Sequence, residues 1–213
     1  RNFIGAVRAE DVTGFYFYGN RVMFGSSGGG TQTGGLEMSG VVNGFVGSES
    51  ENGRNIFGGM QYSCQLRANN STITSRPSEN IQIINNYFGV MDDGHTAFPS
   101  HCGLVVDGGS NNILIKNNQI KNGFEGAKEV AVSGSATSVS ILQNSIYNNG
   151  STGIDLGDNG YTPNDSGDVD GGPNDLLNAP VYSEVQENGS DTDVTFKLDV
   201  PAGGYRVEFF SNT

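Results

Sequence analysis

Between residues 165 and 175 the chain gathers Asp165, Asp168, Asp170, Asn174 and Asp175 into one Gly- and Pro-rich stretch. A hard cation such as calcium takes about six to eight oxygen ligands, and closely spaced Asp and Asn with glycine at the bends supply several of them beside backbone carbonyls. Calcium is the cofactor this pattern suits, with Asp155 or Asp158 as a further ligand. Asx residues also close turns on their own backbone with no metal at all. The spacing is not that of an EF-hand loop, which ends on a bidentate Glu.

A second constellation is Asp92-Asp93-Gly94-His95. General acid/base cleavage of a glycosidic bond needs two carboxylates held at a fixed separation, so Asp92, Asp93 and His95 are the catalytic candidates. They are consecutive in one loop, which equally describes a turn. His101 beside Cys102 lacks the third and fourth soft ligands that zinc requires. Tyr16 and Tyr18, near the start, are residue types that stack on sugars or cap an apolar end.

The elements that must position these groups repeat. Leu104/Val106, Val130/Val132 and Ile154/Leu156 recur at intervals of 26 and 24 residues, each pair flanking one outward position. A period of that size built on alternating triplets marks a solenoid of β-strands. Ile113-x-Ile115, Asn118 and Ile120 recur as Val139-x-Ile141, Asn144 and Ile146, so each turn holds at least two short strands and a bend. Alternate side chains of a strand point to opposite faces, which directs the paired Val, Ile and Leu into a shared interior. Asn118 and Asn144 share one place in the repeat, where inward amides form a ladder.

The rest of the chain is read in the same frame. Residues 1 to 33 are expected to form the first coil, with strands at Val7-Arg8-Ala9 and Phe15-Tyr16-Phe17, and Asn20 in the ladder place. Leu36-Glu37-Met38 opens the second coil and Leu66-Arg67-Ala68 the third, which stacks Arg8, Glu37 and Arg67 in one outward column. The run Ser26 to Gly30 is a loop and not a phosphate cradle, because no Lys-Ser/Thr follows it.

Composition agrees. Glycine is abundant at 33 of 213 residues and charged residues make up only 16 %, which suits many tight turns. The formal charge of −12 argues against nucleic acid, whose phosphates call for a basic surface. Acidic residues crowd into 155 to 199. No apolar run approaches the ~18 to 20 residues that span a bilayer, so no membrane insertion is expected. The start at Arg1 without Met suggests a processed or excised piece of a longer exported protein.

Several phrases resemble right-handed parallel β-helix proteins of very large bacterial surface and secreted proteins. Phe45-Val46-Gly47-Ser48 with Gly53-Arg54-Asn55-Ile56-Phe57-Gly58-Gly59 is similar to the family phrase NxIGG…GxRNxISGN, and Asn86 to Ala97 is similar to its NYIGTDATGTAA loop. Residues 153 to 181, from Gly-Ile-Asp-Leu-Gly-Asp through Thr162-Pro163-Asn164-Asp165 to Asn178-Ala179-Pro180-Val181, follow its GIDLGxxGxTPNDxGDxDxGPNxLxNxPV ending nearly residue for residue. The resemblance covers roughly 34 to 213, and it supplies the right hand of the coil. In β-helix enzymes that cleave pectin, paired Asp, His and Arg come from separate coils on one face, unlike the consecutive 92 to 95.

The expected fold is therefore all-β: a right-handed parallel β-helix of about six coils over residues 1 to 180, then a short, incomplete β-sandwich-like segment over 181 to 213. Strands are expected at Val181 to Val185, Asp193 to Asp199 and Tyr205 to Phe210. Cys64 and Cys102 each precede a coil's first leucine by two residues, so equivalent places stack at a distance a disulfide tolerates, and export would permit the bond. The resemblance implies an extracellular structural or adhesive module, such as a filament or surface-layer building block. Other copies or neighbouring domains would meet it at the coil ends and the 193 to 210 strands, and cell-surface glycans are further partners. The alternatives are a carbohydrate-active β-helix enzyme, a polysaccharide lyase or glycoside hydrolase, and a non-catalytic glycan-binding module revealed by an exposed Tyr or Phe platform.

Overall fold

A computed structural model describes residues 2–4, 6–23, 34–68, 76–124 and 128–210. The run Ser26 to Gly30 and both terminal residues, Arg1 and Thr213, lie outside them. In chain order the strands are β1 (Asn2–Ile4), β2 (Val7–Glu10), β3 (Tyr16–Phe17), β4 (Asn20–Met23), β5 (Leu36–Ser39), β6 (Val42–Val46), β7 (Ile56–Gly58), β8 (Tyr62–Leu66), β9 (Glu79–Ile84), β10 (Tyr87–Phe88), β11 (Cys102–Val106), β12 (Asn111–Lys116), β13 (Gln119–Lys121), β14 (Lys128–Val132), β15 (Thr137–Leu142), β16 (Ser145–Tyr147), β17 (Ile154–Leu156), β18 (Val181–Asn188) and β19 (Asp191–Lys197). Among the described residues helix is confined to two 3-10 turns, Glu51–Gly53 and Pro173–Leu176. Among the described residues no helix is long and apolar enough to cross a membrane.

Three sheets take every third strand. The first is ordered β2-β5-β8-β11-β14-β17, the second β3-β6-β9-β12-β15 and the third β1-β4-β7-β10-β13-β16. From β2 to β16 the chain visits them in unbroken rotation, so each round contributes three strands where the repeat had shown at least two. All neighbours within the three sheets pair in parallel. Parallel neighbours bury both partners' backbone, and the apolar member of each alternating pair turns toward the space the three sheets enclose.

That interior is a single cluster drawing on all three sheets, with Leu104 and Val106 from the first, Ile113 and Ile115 from the second, and Phe88 and Ile120 from the third. Its contents are stacked in columns by register. Leu104 lies beside Val130 in the interior, and Ile81, Ile113 and Val139 form another file. Ile154, next to Val130 on the sheet's last strand and expected to face inward, is instead 43 % exposed, because among the described residues no further strand pairs beyond β17. The rings of Phe57 and Phe88 stack at 4.8 Å and 5°, within the range of favourable aromatic pairs. The expected triplets at Leu104/Val106, Val130/Val132, Ile113/Ile115 and Val139/Ile141 thus all line the interior.

The third round is shifted from expectation by two residues. Cys64, not Leu66, lies beside Leu36 and Leu104, and Leu66 lies beside Met38 and Val106. The outward column of the first sheet accordingly reads Arg8, Glu37, Gln65, Val105, Ala131, Asp155, with Gln65 in place of Arg67. The disulfide falls with the same correction. Both cysteines are free thiols, because Cys64 belongs to the interior cluster while Cys102 sits beside Tyr62 in register and packs with Val105 and Ala131 in a separate cluster.

Buried amides tie successive rounds together at one corner. The side-chain oxygens of Asn55, Asn86, Asn118 and Asn144 each accept the backbone N–H of the preceding Asn, at 3.0, 3.1, 2.8 and 2.9 Å for Asn20, Asn55, Asn86 and Asn118 as donors. Each oxygen also accepts that residue's amide nitrogen. The amide nitrogens of Asn55, Asn86, Asn118 and Asn144 then donate to the carbonyls of Phe17, Val46, Ile83 and Ile115. Among the described side chains the ladder therefore has five rungs, from Asn20 to Asn144. At the next corner Gly89 turns with φ +77°, and a Cβ there would collide with the Lys121 carbonyl of the following round, so only glycine lets the two backbones approach.

The segment after residue 180 forms one antiparallel hairpin, β18 with β19, so these strands pair within their own chain. Tyr205 to Phe210, expected as a strand, forms none. Phe209 packs against Tyr182 and Phe196 instead, and the Glu208 carboxylate accepts the Gln143 backbone N–H at 2.7 Å.

Asn118→Ala deletes one rung: the buried Asn86 backbone N–H loses its acceptor and the Ile83 carbonyl its side-chain donor, while the Asn144 oxygen keeps only the backbone N–H of residue 118. An unmade buried hydrogen bond costs about 1–3 kcal/mol, so a loss of roughly 2–4 kcal/mol is expected in urea unfolding with an unchanged denaturant slope. A loss under about 0.5 kcal/mol would mean that the ladder does not hold the rounds in register.

Candidate functional site

The acidic stretch folds into a loop closed by Asn178, a buried residue. Its side-chain oxygen accepts Asp165 N–H, its amide nitrogen donates to the carbonyls of Asp165 and Asp199, and its backbone N–H donates to the Asp168 carboxylate at 2.7 Å. This brings carboxylate oxygens of Asp165, Asp168 and Asp170 within 4.8 Å of one another. One oxygen of Asp165 bonds the backbone N–H groups of Val169 and Asp170. The other, like one oxygen of Asp170, is shielded from solvent and has no hydrogen-bond partner. Local burial, then the carboxylates of Asp165 and Asp168, push the Asp170 carboxyl above its ordinary range. Three clustered oxygens with unspent lone pairs fit a hard cation.

Two of the five expected ligands serve elsewhere. Asn174 donates its backbone N–H to Ala136, accepts Val139 N–H on its side chain at 2.8 Å and donates back to the Val139 carbonyl. It thereby covers the open edge of β15, acting as a one-residue substitute for the next strand. Asp175 is exposed and outside the cluster. Asp155 and Asp158 are also elsewhere, both paired with Lys128, at 3.3 and 3.0 Å.

The loop carrying the catalytic candidates lies over the third sheet. Asp93 accepts the backbone N–H groups of His95 and Thr96 at 2.8 Å each and the Thr96 hydroxyl. These bonds stabilise its charged form and hold its carboxyl at about 2. Asp92 is engaged by Arg21, a residue of β4. Val90 and Ala97 bridge the loop's base. Asp93 is thus a turn residue with its lone pairs engaged, Asp92 is an ion-pair partner, and His95 is exposed. In the outward-directed column of the first sheet, Val105 and Ala131 separate Gln65 from Asp155, and all four are buried, Val105 and Ala131 in the cluster with Cys102 and Tyr62.

One buried acid escaped the sequence reading. Glu129 is 2 % exposed, and the registers on either side of it place it next to Gly103 and Gly153. A Cβ on Gly103 would meet both a Glu129 carboxylate oxygen and Ile120, so the acid occupies room that glycine leaves at an interior corner. One of its oxygens is buried with no partner, and desolvation pushes its carboxyl up to about 7. Burial, followed by the nearby Glu129 and Asp158 carboxylates, pushes the Cys102 thiol up to about 12. Burial alone carries Cys64 further above the usual thiol range. A glycine, a glutamate and a glycine at one place in successive rounds are the signal that was available.

The chain matches no protein-family model, no curated protein and no solved structure.

Glu129 binds its proton more tightly folded than unfolded, since its carboxyl rises from 4.5 to about 7. Its contribution to stability is fully present below pH 4.5 and is lost as pH rises through about 7, a span worth at most roughly 3 kcal/mol. Glu129→Gln should therefore match the parent near pH 4 and exceed it by up to about 3 kcal/mol at pH 8. Parallel stability curves for the two proteins across that range would show that Glu129 finds a partner after all.

Proposed function

We propose that this chain is an extracellular structural or adhesive module of a bacterial surface protein, wound as a right-handed parallel β-helix. The observation that carries the reading is the five-rung amide ladder running beside a continuous apolar interior. Every round is bonded to the next by backbone and side chain alike, the construction of a stiff spacer. The resemblance of residues 153 to 181 to the ending found in large bacterial surface proteins supports the same reading and supplies the hand and the location. The outward column interrupted by Val105 and Ala131, and the committed bonds of Asp92 and Asp93, favour it over a glycan-cleaving enzyme.

In this reading Asp165, Asp168 and Asp170 hold calcium as a structural tie. Their loop joins β17 to the hairpin, and Asn178 bonds both the loop and Asp199, so a cation there would lock the two together. The hairpin is the module's contact to a neighbouring domain or another copy. A two-stranded sheet is marginal in isolation, and Tyr182 and Val185 are 57 % and 62 % exposed.

Incubation with polygalacturonate and with neutral β-glucans should release no new ends, while scattering should report a rigid elongated particle. Turnover that is abolished by Asp93→Asn in a variant that melts with the parent would instead establish the enzyme. Calcium at millimolar concentration should raise the melting temperature by several degrees in the parent and not in Asp165→Asn. Equal shifts in the two proteins would remove the cation from the loop.

A further inference from the structure

We infer that the outer face of the second sheet, over its first three rounds, binds a neutral oligosaccharide, a role beyond that of a spacer. A shallow cleft of about 200 Å³ opens at the leading edge of this sheet, where β6 and β9 begin, lined by Asp11, Thr13, Val42, Arg76, Pro77 and Glu79. Asp11 and Arg76 are exposed and Glu79 is half-buried. Among the described residues, none of these three side chains is used in an ion pair or hydrogen bond. Two carboxylates and a guanidinium converging on one recess offer acceptors and donors together. Sugar hydroxyls, which donate and accept at once, answer that mixture, and bonds to charged groups are the strong ones.

An aromatic platform stands beside the cleft. Thr13 bridges Val42, and three residues further along the same two segments Tyr16 lies beside Phe45. Their rings stack at 5.3 Å and 5°, and Tyr16 is 65 % exposed. Three residues span at most about 10 Å of extended chain, so cleft and ring lie within reach of one short saccharide. An exposed tyrosine offers a sugar an apolar ring face and a polar tip.

Between cleft and platform runs a surface file of amides. Asn80 donates to the Asn43 oxygen at 3.1 Å, and Asn112 donates to the Asn80 oxygen at 2.6 Å. Few polar groups placed around an apolar platform are the usual make-up of a small-molecule site. The strands of this face run parallel, which sets the cleft, the amides and the ring in line for an extended pyranose chain. The cleft's two carboxylates against one guanidinium, on a chain of net charge −12, disfavour acidic glycans.

Cellohexaose and chitohexaose, titrated by calorimetry and by tyrosine emission, provide the test, with trigalacturonate as the acidic arm. The chain has no Trp, so tyrosine emission is unobscured. At least one of the two neutral probes should bind, and Tyr16→Ala and Arg76→Gln should each weaken it about tenfold or more. Tyr161→Ala, altering a 75 % exposed ring elsewhere, should bind as the parent does, and all three variants should melt with it. Absence of binding by both neutral probes, tighter binding of trigalacturonate, or affinity indifferent to both site substitutions would overturn the assignment.

Discussion

Register at a buried corner is the constraint on which the molecule depends. A parallel sheet by itself tolerates slippage, because shifting a strand by two residues returns its apolar side chains to the same face. The amide ladder removes that freedom. An Asn displaced by two positions would strand its own amide and the backbone N–H of the round before it in an interior that offers no other partner. Hydrophobic burial drives the collapse, whereas the ladder selects one alignment among several that bury similar area.

Everything irregular is then displaced to the surface. The stretch from β10 to β11 leaves the third sheet, closes on itself through Val90 and Ala97 and returns with its interior partners unchanged. The acidic loop after β17 does the same, and Asn174 reaches back from it to finish β15. Chemistry-bearing residues accumulate in such excursions, since the interior accepts little besides apolar groups and amides. Glu129 is the exception, admitted where two glycines leave a recess.

Much of this was legible in the residues. Where an inner round spells out two branched apolar residues around one spacer, as at Ile113-x-Ile115 and Val139-x-Ile141, sequence and structure agree, whereas Ile154 of the last such triplet is exposed. The third round was misplaced because its interior position is filled by Cys64, which does not announce itself as core beside the more obvious Leu66. That two-residue slip also produced the supposed disulfide. Repetition marks the ladder at Asn118 and Asn144, with Asn20 in the same frame, but Asn55 and Asn86 fall inside longer phrases that hide their shared place. Among the acids, spacing brought Asp165, Asp168 and Asp170 together correctly. It could not reveal that Asn174 is claimed by a strand edge, because that contact spans 35 residues.

The ladder is also directional. Each rung hands its oxygen to the round before it and presents its own N–H to the round after, so the two ends of the file are chemically unlike. A chain built this way can gain or lose an entire round and still match rung to rung, whereas loss of half a round leaves an oxygen facing an oxygen or a donor facing hydrocarbon. Heritable change in its length is thereby quantised, and duplication of a complete repeat is the smallest step that preserves the column.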